Sequence, residues 1–510
     1  MSLVNTTLKI LFSKQISKIE YFKKNPVEVQ ENTLTALLNQ AKDTEFGKYY
    51  DFKNIKSSEK FSEKVPIFEY DDLKPYIERT INGEQNILWN TEIHWFAKSS
   101  GTTSDRSKFI PISKECLYDC HFRSGRDIYA LYVDIFPDTK IFLGKALSIG
   151  GSTSINKYNK NSYTGDLSSI ITKNLPFWTN QSRVPNNKIG LIPEWDIKLN
   201  QILLSTINQN VTQLIGVPSW LLVLLNNILE HTNKSNILEV WQNLELFIHG
   251  GISFIPYKSR YEQIIPTTAM TYIETYNASE GFFGIQDEFY LNNPDLLLML
   301  DYGIYYEFIE LENYTAKNMK TIPLSQVKTG ISYAIIITTN SGLWRYIIGD
   351  TIVFTNTNPY RFRIVGRTKH YINAFGEELV VENAQNAISY ACEQTNAQIR
   401  EYTAAPFFYD RAKSQGTHEW LFEFTKEPDD IKHFVELLDE KLRLLNSDYD
   451  AKRFKDINLG FPKYTVLKTG VFHQWLKQKG KLGGQSKVPN LSNSRNYVDE
   501  ILKLNDEKTF

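Results

Sequence analysis

The stretch FAKSSGTTSDRSKFIP, residues 96–111, decides how this sequence is interpreted. Apolar residues flank a run of hydroxyl side chains around Gly101, which predicts two strands joined by a small-residue loop, in other words a hairpin. Gly101 permits a positive φ and lets the backbone approach a ligand closely. Closely spaced hydroxyl and amide groups form a concavity of donors that suits a polyphosphate. Arg106 and Lys108 can supply positive charge as the chain leaves the loop.

This loop is not a Walker P-loop, because that motif requires GxxxxGK[ST] at the start of a helix. Here one glycine is present, and Lys108 enters a predicted strand. A Ser/Thr-rich surface turn without a ligand is therefore the alternative to a phosphate-binding loop. The hairpin alone does not choose between them, and the choice depends on three later segments.

Length and composition indicate an ordinary globular protein of several domains. A chain of 510 residues predicts two or three domains. Lys plus Arg (57) nearly balance Asp plus Glu (58), so nothing favours nucleic acid or an anionic membrane as a partner. The N-terminal residues lack the features of a signal peptide, and the apolar run 220–229 is too short for a membrane span. We therefore expect a cytoplasmic protein.

The three cysteines do not form a disulfide framework, and their low, odd number fits a reducing compartment. Cys116 and Cys120 lie one helical turn apart beside His121. No second pair of ligands is nearby, so two thiols facing the core are favoured over a metal site.

Strands alternate with helices along the first two thirds of the chain, which predicts an α/β fold with a mostly parallel sheet. Helices are predicted at 3–23, 31–42, 68–77 and 220–231, and from an N-cap at Ser113 to about 133. Strands are predicted at 141–150, 212–215, 246–251 and 330–339, with a further strand that ends at Asp350. A second Gly/Ser cluster, residues 150–154, is interpreted as an ordinary loop.

The pattern changes after a strand that ends at 363–366, where residues 366–369 resemble a linker. A small α+β domain is predicted to follow, with strands at 371–373, 377–380 and 420–424 and helices at 382–394 and 429–445. The tail from Val471 is basic and rich in glycine, which fits either a flexible loop or a lysine delivered to an anionic site. His249, at a strand end, fits a structural histidine better than a catalytic one, since no motif places a nucleophile near it.

Four segments now stand in order, SSGTTSDRSKFIP, TYNASEGFFGI, GLWRYIIGD and GRTKHYINAFGEEL, followed by the tail GGQSKVPNLSNSR. This set resembles the adenylate-forming superfamily of acyl-CoA synthetases and luciferases. It is most similar to the auxin-responsive (Gretchen Hagen) acyl acid–amido synthetases in their bacterial form, from about residue 95 to 500. Each motif is weak to moderate alone, and their order and spacing make the set specific.

The resemblance implies a large N-terminal adenylate-forming domain, 1–366, with mostly parallel sheets and a β-barrel-like part. A small mobile C-terminal α+β domain, 367–510, would follow a hinge at about 366–370 that includes Lys369. It also implies that a small carboxylic acid attacks the α-phosphate of ATP and releases pyrophosphate. An amine, often that of an amino acid, then attacks the acyl-adenylate to give an amide and AMP. Such chemistry depends on positioning and charge stabilisation.

The family pattern assigns a role to each matching residue. The phosphates would be held by Ser99, Ser100, Thr102 and Thr103; adenine would stack on Tyr276; Ser279 would contact the α-phosphate; Glu280 would position Mg²⁺; Asp350, assisted by Arg367, would bind the ribose; and Lys487 would be the mobile cation. The substrate carboxylate would pair with Arg126 or Arg123, although an exposed helix arginine is an equal alternative. Val217, His249, Gly250 and Gly251 would line the acid pocket.

The sequence departs from the plant enzymes of the family at several points. Asp105 and Arg106 stand where those enzymes have a glycine-rich segment, no arginine follows Pro489, and the plant branch lacks a clear GRTK…GEE segment. An acyl-CoA ligase and a non-catalytic nucleotide-binding protein remain alternatives, although Glu280, Asp350 and Lys487 argue against the second. The sequence leaves open which acid and which acceptor are used, and the oligomeric state.

Overall fold

A computed structural model describes residues 3–99, 108–149, 155–176, 179, 181–190, 192, 195–251, 254–289, 295–311, 319–367, 371–377, 379–410, 415–454, 458–478 and 488–507. These residues divide into two compact units. The first contains the described residues of 3–99, 108–251 and 264–367, and the second those of 254–263 and 371–507. The segment 254–263 thus groups with the C-terminal part of the chain, and the Tyr257 hydroxyl donates to the Ala374 carbonyl at 3.0 Å.

The first unit begins with the predicted helical preface. Its helices are α1 (Leu3–Lys24), α2 (Pro26–Ala41), α3 (Glu45–Tyr49), α4 (Ser58–Lys64), α5 (Tyr70–Ile81), α6 (Phe122–Ile135), α7 (Leu167–Asn174), α8 (Asn187–Gly190), α9 (Trp195–Thr206) and α10 (Pro218–Thr232). The apolar face predicted for α2 is buried through Leu34, Leu37, Leu38 and Ala41. Helix α2 starts before the predicted position because proline is well suited to the first helical turn.

Sixteen strands of the first unit form two sheets. They are β1 (Trp95–Ser99), β2 (Lys108–Ile112), β3 (Lys145–Ile149), β4 (Asn156–Lys157), β5 (Tyr163–Gly165), β6 (Arg183–Val184), β7 (Val211–Gly216), β8 (Leu246–Gly250), β9 (Thr271–Ala278), β10 (Gly281–Ile285), β11 (Leu296–Leu298), β12 (Ile304–Glu310), β13 (Ile322–Pro323), β14 (Ser332–Thr339), β15 (Tyr346–Thr357) and β16 (Tyr360–Arg367). The small sheet has the order β2-β1-β5-β4. The predicted hairpin is confirmed, since β1 and β2 pair antiparallel with Ser99 opposite Lys108.

The large sheet is mixed rather than mostly parallel. Its order is β13-β12-β14-β15-β16-β11-β10-β9-β8-β7-β3-β6. Strands β6, β3, β7, β8 and β9 are parallel, whereas every pairing from β9 through β10 to β13 is antiparallel. The prediction was therefore wrong for the second half, where short hairpins connect several neighbouring strands. Parallel strands instead need a long crossover connection.

Three element boundaries differ from the predictions. Residues Ile141–Leu143 form a single 3₁₀ turn, and the strand begins only at Lys145. Asp350 is not the end of a strand, because β15 continues to Thr357 and pairs with β16 along this length. Gly366 and Arg367 belong to β16 rather than to a linker, since Arg367 lies opposite Asp350 in the ladder.

The second unit is the predicted small α+β assembly. Its elements are α11 (Ile255–Ile264), α12 (Val381–Thr395), α13 (Ile431–Leu445), α14 (Ser447–Arg453), α15 (Val471–Gln478) and α16 (Asn496–Glu507), with strands β17 (Tyr371–Ile372), β18 (Leu379–Val380), β19 (Gln398–Asp410), β20 (Gln415–Lys426) and β21 (Lys463–Val466). The tail was partly mispredicted, because α15 buries Val471, Phe472 and Trp475 and is therefore not a flexible loop. None of the helices in the described ranges has both the length and the apolar character that a membrane span needs.

Candidate functional site

Two motif residues that are 74 positions apart in the chain contact each other. The hydroxyl of Tyr276, on β9, donates to the carboxylate of Asp350, on β15. Strands β10, β11 and β16 separate β9 from β15 in the sheet order, so the sheet must curl strongly to allow this contact. The Tyr276 ring packs 4.8 Å from the Phe283 ring and 6.1 Å from that of Phe362, measured between centroids. The structure therefore brings the predicted adenine and ribose residues together.

The backbone around Asp350 is irregular on both sides. Gly349 has φ +94°, a conformation that side chains other than glycine rarely adopt. The pairing register with β16 shifts between Thr351 and Ile352. Such bulges often lie beside active sites, where they re-aim a side chain. Arg367 is the cross-strand partner of Asp350, so the backbone places these two predicted nucleotide residues side by side.

Ser279 and Glu280 form the two-residue turn between β9 and β10. Glu280 is buried, with 8% of its surface exposed. The next residue, Gly281, is closely packed, because a Cβ there would lie 2.6 Å from Cδ1 of Ile304. The turn therefore holds a buried carboxylate on the same hairpin as Tyr276.

The residues predicted to line the acid pocket meet at the carboxyl edge of the parallel strands. Gly216, His249 and Glu274 occupy one register row across β7, β8 and β9. A Cβ on Gly250 would lie 2.4 Å from the carbonyl oxygen of Thr275, and one on Gly251 would lie 3.6 Å from Val217. In open α/β sheets, ligands bind outside the carboxyl ends of the strands. Val217, His249, Gly250 and Gly251 are therefore grouped where such a ligand would bind.

His249, which is buried, and Glu274, which is half-buried, differ in ionisation. Burial lowers the pKa of His249 to about 3, so its imidazole is neutral near pH 7. Burial raises the pKa of Glu274 to about 7. In the described part of the chain, no hydrogen bond or ion pair reaches the Glu274 carboxylate. Residues two apart in a strand point to the same face, so Glu274 faces the same side as Tyr276.

Glu274 was missed by the sequence analysis. The sequence feature that could have indicated it is the alternation in TYIETY, residues 271–276. In a strand, this alternation places Glu274 on the same face as Tyr272 and Tyr276. Without the three-dimensional register, this pattern does not distinguish a solvent-facing glutamate from one at a site.

The two arginines of α6 have different environments. The guanidinium of Arg123 donates to the Asp301 carbonyl at 2.7 Å and forms ion pairs with the carboxylates of Asp301 and Asp127. Burial raises the pKa of Asp127 to about 6, and the Tyr302 hydroxyl donates to it at 2.9 Å. Arg126 is exposed. Arg123 is therefore engaged inside the protein, and Arg126 is the more accessible candidate for a substrate carboxylate.

Several predicted site residues lie outside the described residues, namely Ser100, Thr102, Thr103, Lys369 and Lys487. Ser99 ends β1 directly opposite Lys108. Lys108 is buried, and its ammonium group lies 5.6 Å from the centre of the Tyr70 ring. The two ends of the predicted phosphate loop, Ser99 and Lys108, are therefore paired with each other in the small sheet.

The Glu280 carboxylate in the turn fits a magnesium ion that is bound together with a nucleotide. The described residues contain no group of three or more His, Cys, Asp or Glu side chains that could hold a metal by themselves. Mg²⁺ in nucleotide sites uses one or two protein carboxylates, and substrate phosphates and water complete its ligands. Glu280 can supply such a carboxylate.

Comparisons with known proteins agree with the motif analysis. The chain matches the GH3 family N-terminal domain over residues 15–270, the GH3 family central domain over 297–367 and the GH3 family C-terminal domain over 382–496. The indole-3-acetic acid-amido synthetase GH3.4 of Arabidopsis thaliana is 24% identical, and the alignment covers 97% of this chain and 93% of the relative.

Solved structures share the fold along nearly the whole chain. GH3.15 acyl acid amido synthetase has a TM-score of 0.60 at 20% identity, with 96% of this chain and 95% of that chain covered. A 2-hydroxyisobutyryl-CoA ligase in complex with 2-HIB-AMP and CoA has a TM-score of 0.55 at 13% identity, with 94% and 92% covered. The predicted class, a large α/β domain followed by a small C-terminal domain, is thereby confirmed. Since its N-terminal, central and C-terminal domain models all match in order, the chain belongs to the GH3 family.

Proposed function

We propose that this protein is an ATP-dependent acyl acid–amido synthetase. It would convert a small carboxylic acid into an acyl-adenylate with release of pyrophosphate, and then transfer the acyl group to an amine, such as that of an amino acid, with release of AMP. The observation that carries the proposal is the contact between Tyr276 and Asp350, with Arg367 opposite Asp350. GH3 membership, with relatives named as amido synthetases, supports an amine as the acceptor.

In this proposal, the nucleotide lies along Tyr276, Asp350 and Arg367, with its phosphates near the hydroxyl loop and Ser279. Glu280 would hold Mg²⁺, which supplies charge stabilisation to the phosphates during adenylation. Glu274 faces the same side as Tyr276, and its carboxylate can accept a hydrogen bond from a donor group on the nucleotide or the acid. Glu274, Tyr276, Ser279 and Glu280 lie on one hairpin, and Tyr276 contacts Asp350, which supports treating these residues as one site.

The acid would bind at the carboxyl edge formed by Val217, His249, Gly250 and Gly251. Small residues are required there because the backbone of β9 comes close to Gly250. Arg126 would pair with the carboxylate, since guanidinium groups bind carboxylates through two parallel hydrogen bonds. Lys487, outside the described residues, would act as the adenylation cation.

We also propose that the small domain, 367–510, moves about a hinge at 366–370 that includes Lys369. In addition, we propose a cytoplasmic location and membership of the bacterial form of the family. The resemblance of the GRTK…GEE segment supports the last assignment, because the plant branch lacks a clear counterpart.

The test is acid-dependent exchange between ATP and pyrophosphate in the presence of Mg²⁺, across a panel of aryl, indole and fatty acids. We expect exchange with at least one acid, and an amide plus AMP when amino acids are then added. A thioester formed with CoA instead would favour the acyl-CoA ligase alternative, which the shared fold of 2-hydroxyisobutyryl-CoA ligase supports. ATP binding without exchange for any acid would contradict the proposal and favour a non-catalytic nucleotide-binding protein. Lys487→Ala should abolish exchange in a folded protein.

A further inference from the structure

Two irregularities of the backbone lie next to each other, close in sequence or in space to the Ser279–Glu280 turn. The first is the π-helical turn Cys116–His121, which precedes α6 and contains one residue more per turn than an α-helix. The second is a bulge in β10, where Phe282 pairs with Asn277 but Gly284 pairs with Tyr276. One extra residue, Phe283, is therefore inserted opposite β9. Both kinds of irregularity recur at functional sites.

A hydrogen bond joins the two irregularities. The backbone N–H of Phe282 donates to Sγ of Cys120 at 3.2 Å. Cys120 is completely buried, and burial raises the pKa of its thiol, so its sulfur remains an uncharged acceptor. A buried N–H that loses its acceptor destabilises the local structure. The Cys120 sulfur thus stabilises the hairpin at Phe282 by accepting this hydrogen bond.

The segment that carries Cys120 is itself anchored to two other parts of the candidate site. The Ser113 hydroxyl, which follows β2, accepts from the Cys116 N–H at 2.9 Å and donates to the Asn340 carbonyl at 2.6 Å. The Ser113 N–H donates to the Ser341 hydroxyl at 2.9 Å. Asn340 and Ser341 lie in the turn that connects β14 with β15, the strand of Asp350. One segment therefore links the hydroxyl hairpin, the Asp350 strand and the Glu280 hairpin.

Only Gly281 separates Glu280 from Phe282 along the chain. A Cβ at this position would lie 2.6 Å from Cδ1 of Ile304 and 3.1 Å from Cε1 of Phe283, so two side chains pack closely on it. A displacement of the Phe282 backbone is therefore transmitted to Glu280.

We propose that Cys120 is a positioning residue for Glu280, whose carboxylate it keeps in place by holding the bulge of β10. This inference rests on the proposed function, in which Glu280 positions Mg²⁺. Cys120 is not assigned any contact with a substrate. Cys116 is equally buried in the same π-helical turn, and its thiol interacts with that of Cys120. Within the described residues its side chain makes no hydrogen bond to the Glu280 hairpin, so Cys116→Val disturbs the same turn but leaves the Cys120 acceptor in place and serves as the control.

The experiment compares Cys120→Val, which removes the acceptor at nearly constant volume, with Cys120→Ser, which retains one, and with the control Cys116→Val. In the ligand-free proteins, hydrogen exchange of the peptide that contains Phe282 should be about tenfold faster in Cys120→Val. The half-saturating Mg²⁺ concentration for pyrophosphate exchange should rise about tenfold, as for other residues that orient metal ligands. Cys120→Ser and Cys116→Val should both remain close to the wild-type protein in these two measurements.

Equal changes in Cys120→Val and Cys116→Val, or none in Cys120→Val, would overturn the inference while leaving the proposed function intact. If the wild-type protein catalyses no exchange with any acid, the proposed function fails and the inference fails with it. If Cys120→Val does not fold, Cys120→Ala takes its place, and the same hydrogen-exchange contrast with Cys120→Ser decides the outcome.

Discussion

The two halves of the large sheet differ in how completely their ionisable side chains are paired. In the antiparallel half, Arg345 is buried, with its five N–H donors directed at the Glu307 carboxylate, two carbonyl oxygens and the Thr321 hydroxyl. At the carboxyl edge of the parallel half, no partner for the Glu274 carboxylate occurs among the described residues. Complete pairing is what structural stability requires, whereas an unpaired carboxylate is destabilising unless a ligand uses it.

This contrast separates two roles inside one motif. Arg345 and Asp350 both belong to GLWRYIIGD, yet Arg345 has φ +40° and ties the start of β15 to Glu307, while Asp350 contacts Tyr276. A strained conformation persists only where the surroundings hold it firmly, as the five hydrogen bonds of the Arg345 guanidinium do. We therefore assign a structural role to Arg345, whereas Asp350 remains a proposed ligand-binding residue.

The largest expected effect is that of Arg345→Ala. Removing one partner of a buried ion pair leaves the other charge uncompensated, so the free energy of unfolding should fall by about 3–5 kcal/mol. Urea unfolding at pH 7 measures this change. Arg361→Ala is the matched control, because Asp287 loses two hydrogen bonds from Arg361 but keeps Lys23 at 3.1 Å. The control should therefore lose less, and a loss below about 1 kcal/mol in Arg345→Ala would contradict the anchoring role.

A smaller effect of opposite sign is expected for Glu274→Gln. The folded-state pKa of Glu274 is raised from 4.5 to about 7, so the folded protein holds this proton more tightly than the unfolded chain does. Its contribution to stability is full below pH 4.5 and is lost as the pH rises through about 7. Relative to the wild-type protein, Glu274→Gln should therefore gain about 1–3 kcal/mol of unfolding free energy between pH 4.5 and pH 8.

Urea unfolding at several pH values tests this prediction. Glu63→Gln is the control, because Glu63 is exposed and, of the residues that the structure describes, pairs with Lys60 alone. Its stability profile should therefore parallel that of the wild-type protein. If Glu274→Gln is more stable at pH 8 and also binds ATP or the acid more weakly, the carboxylate is retained for a ligand at the expense of stability. A profile identical to that of Glu63→Gln would show that Glu274 is not an enclosed, unpaired carboxylate.

Much of the local structure could be predicted because it depends on local patterns. The hairpin at Ser99 and Lys108, the α2 apolar face and the Ser113 cap all follow from residue types at short spacing. The motif residues Tyr276, Asp350 and Arg367 were instead assigned through the resemblance of their segments to a known family. The structure places Tyr276 in contact with Asp350, and the backbone of Arg367 opposite Asp350.

The remainder depends on contacts between distant segments. The role of Arg345 requires acceptors from residues as distant as Ser62, Glu307 and Thr321, and Arg123 is engaged by Asp301, far along the chain. The π-helical turn and the β10 bulge each add a single residue, and no change in composition marks the added residue. Such features are determined by packing between elements, which one sequence does not reveal.

The central claim is that the Glu280 hairpin and the Tyr276–Asp350 pair form a magnesium-dependent adenylation site. It is tested most directly by ATP–pyrophosphate exchange with an accepted acid, measured for the wild-type protein and Glu280→Gln over a range of Mg²⁺ concentrations. We predict that Glu280→Gln remains folded and loses about a hundredfold or more of the exchange rate. Exchange in Glu280→Gln at the wild-type rate and with the wild-type Mg²⁺ dependence would contradict the account.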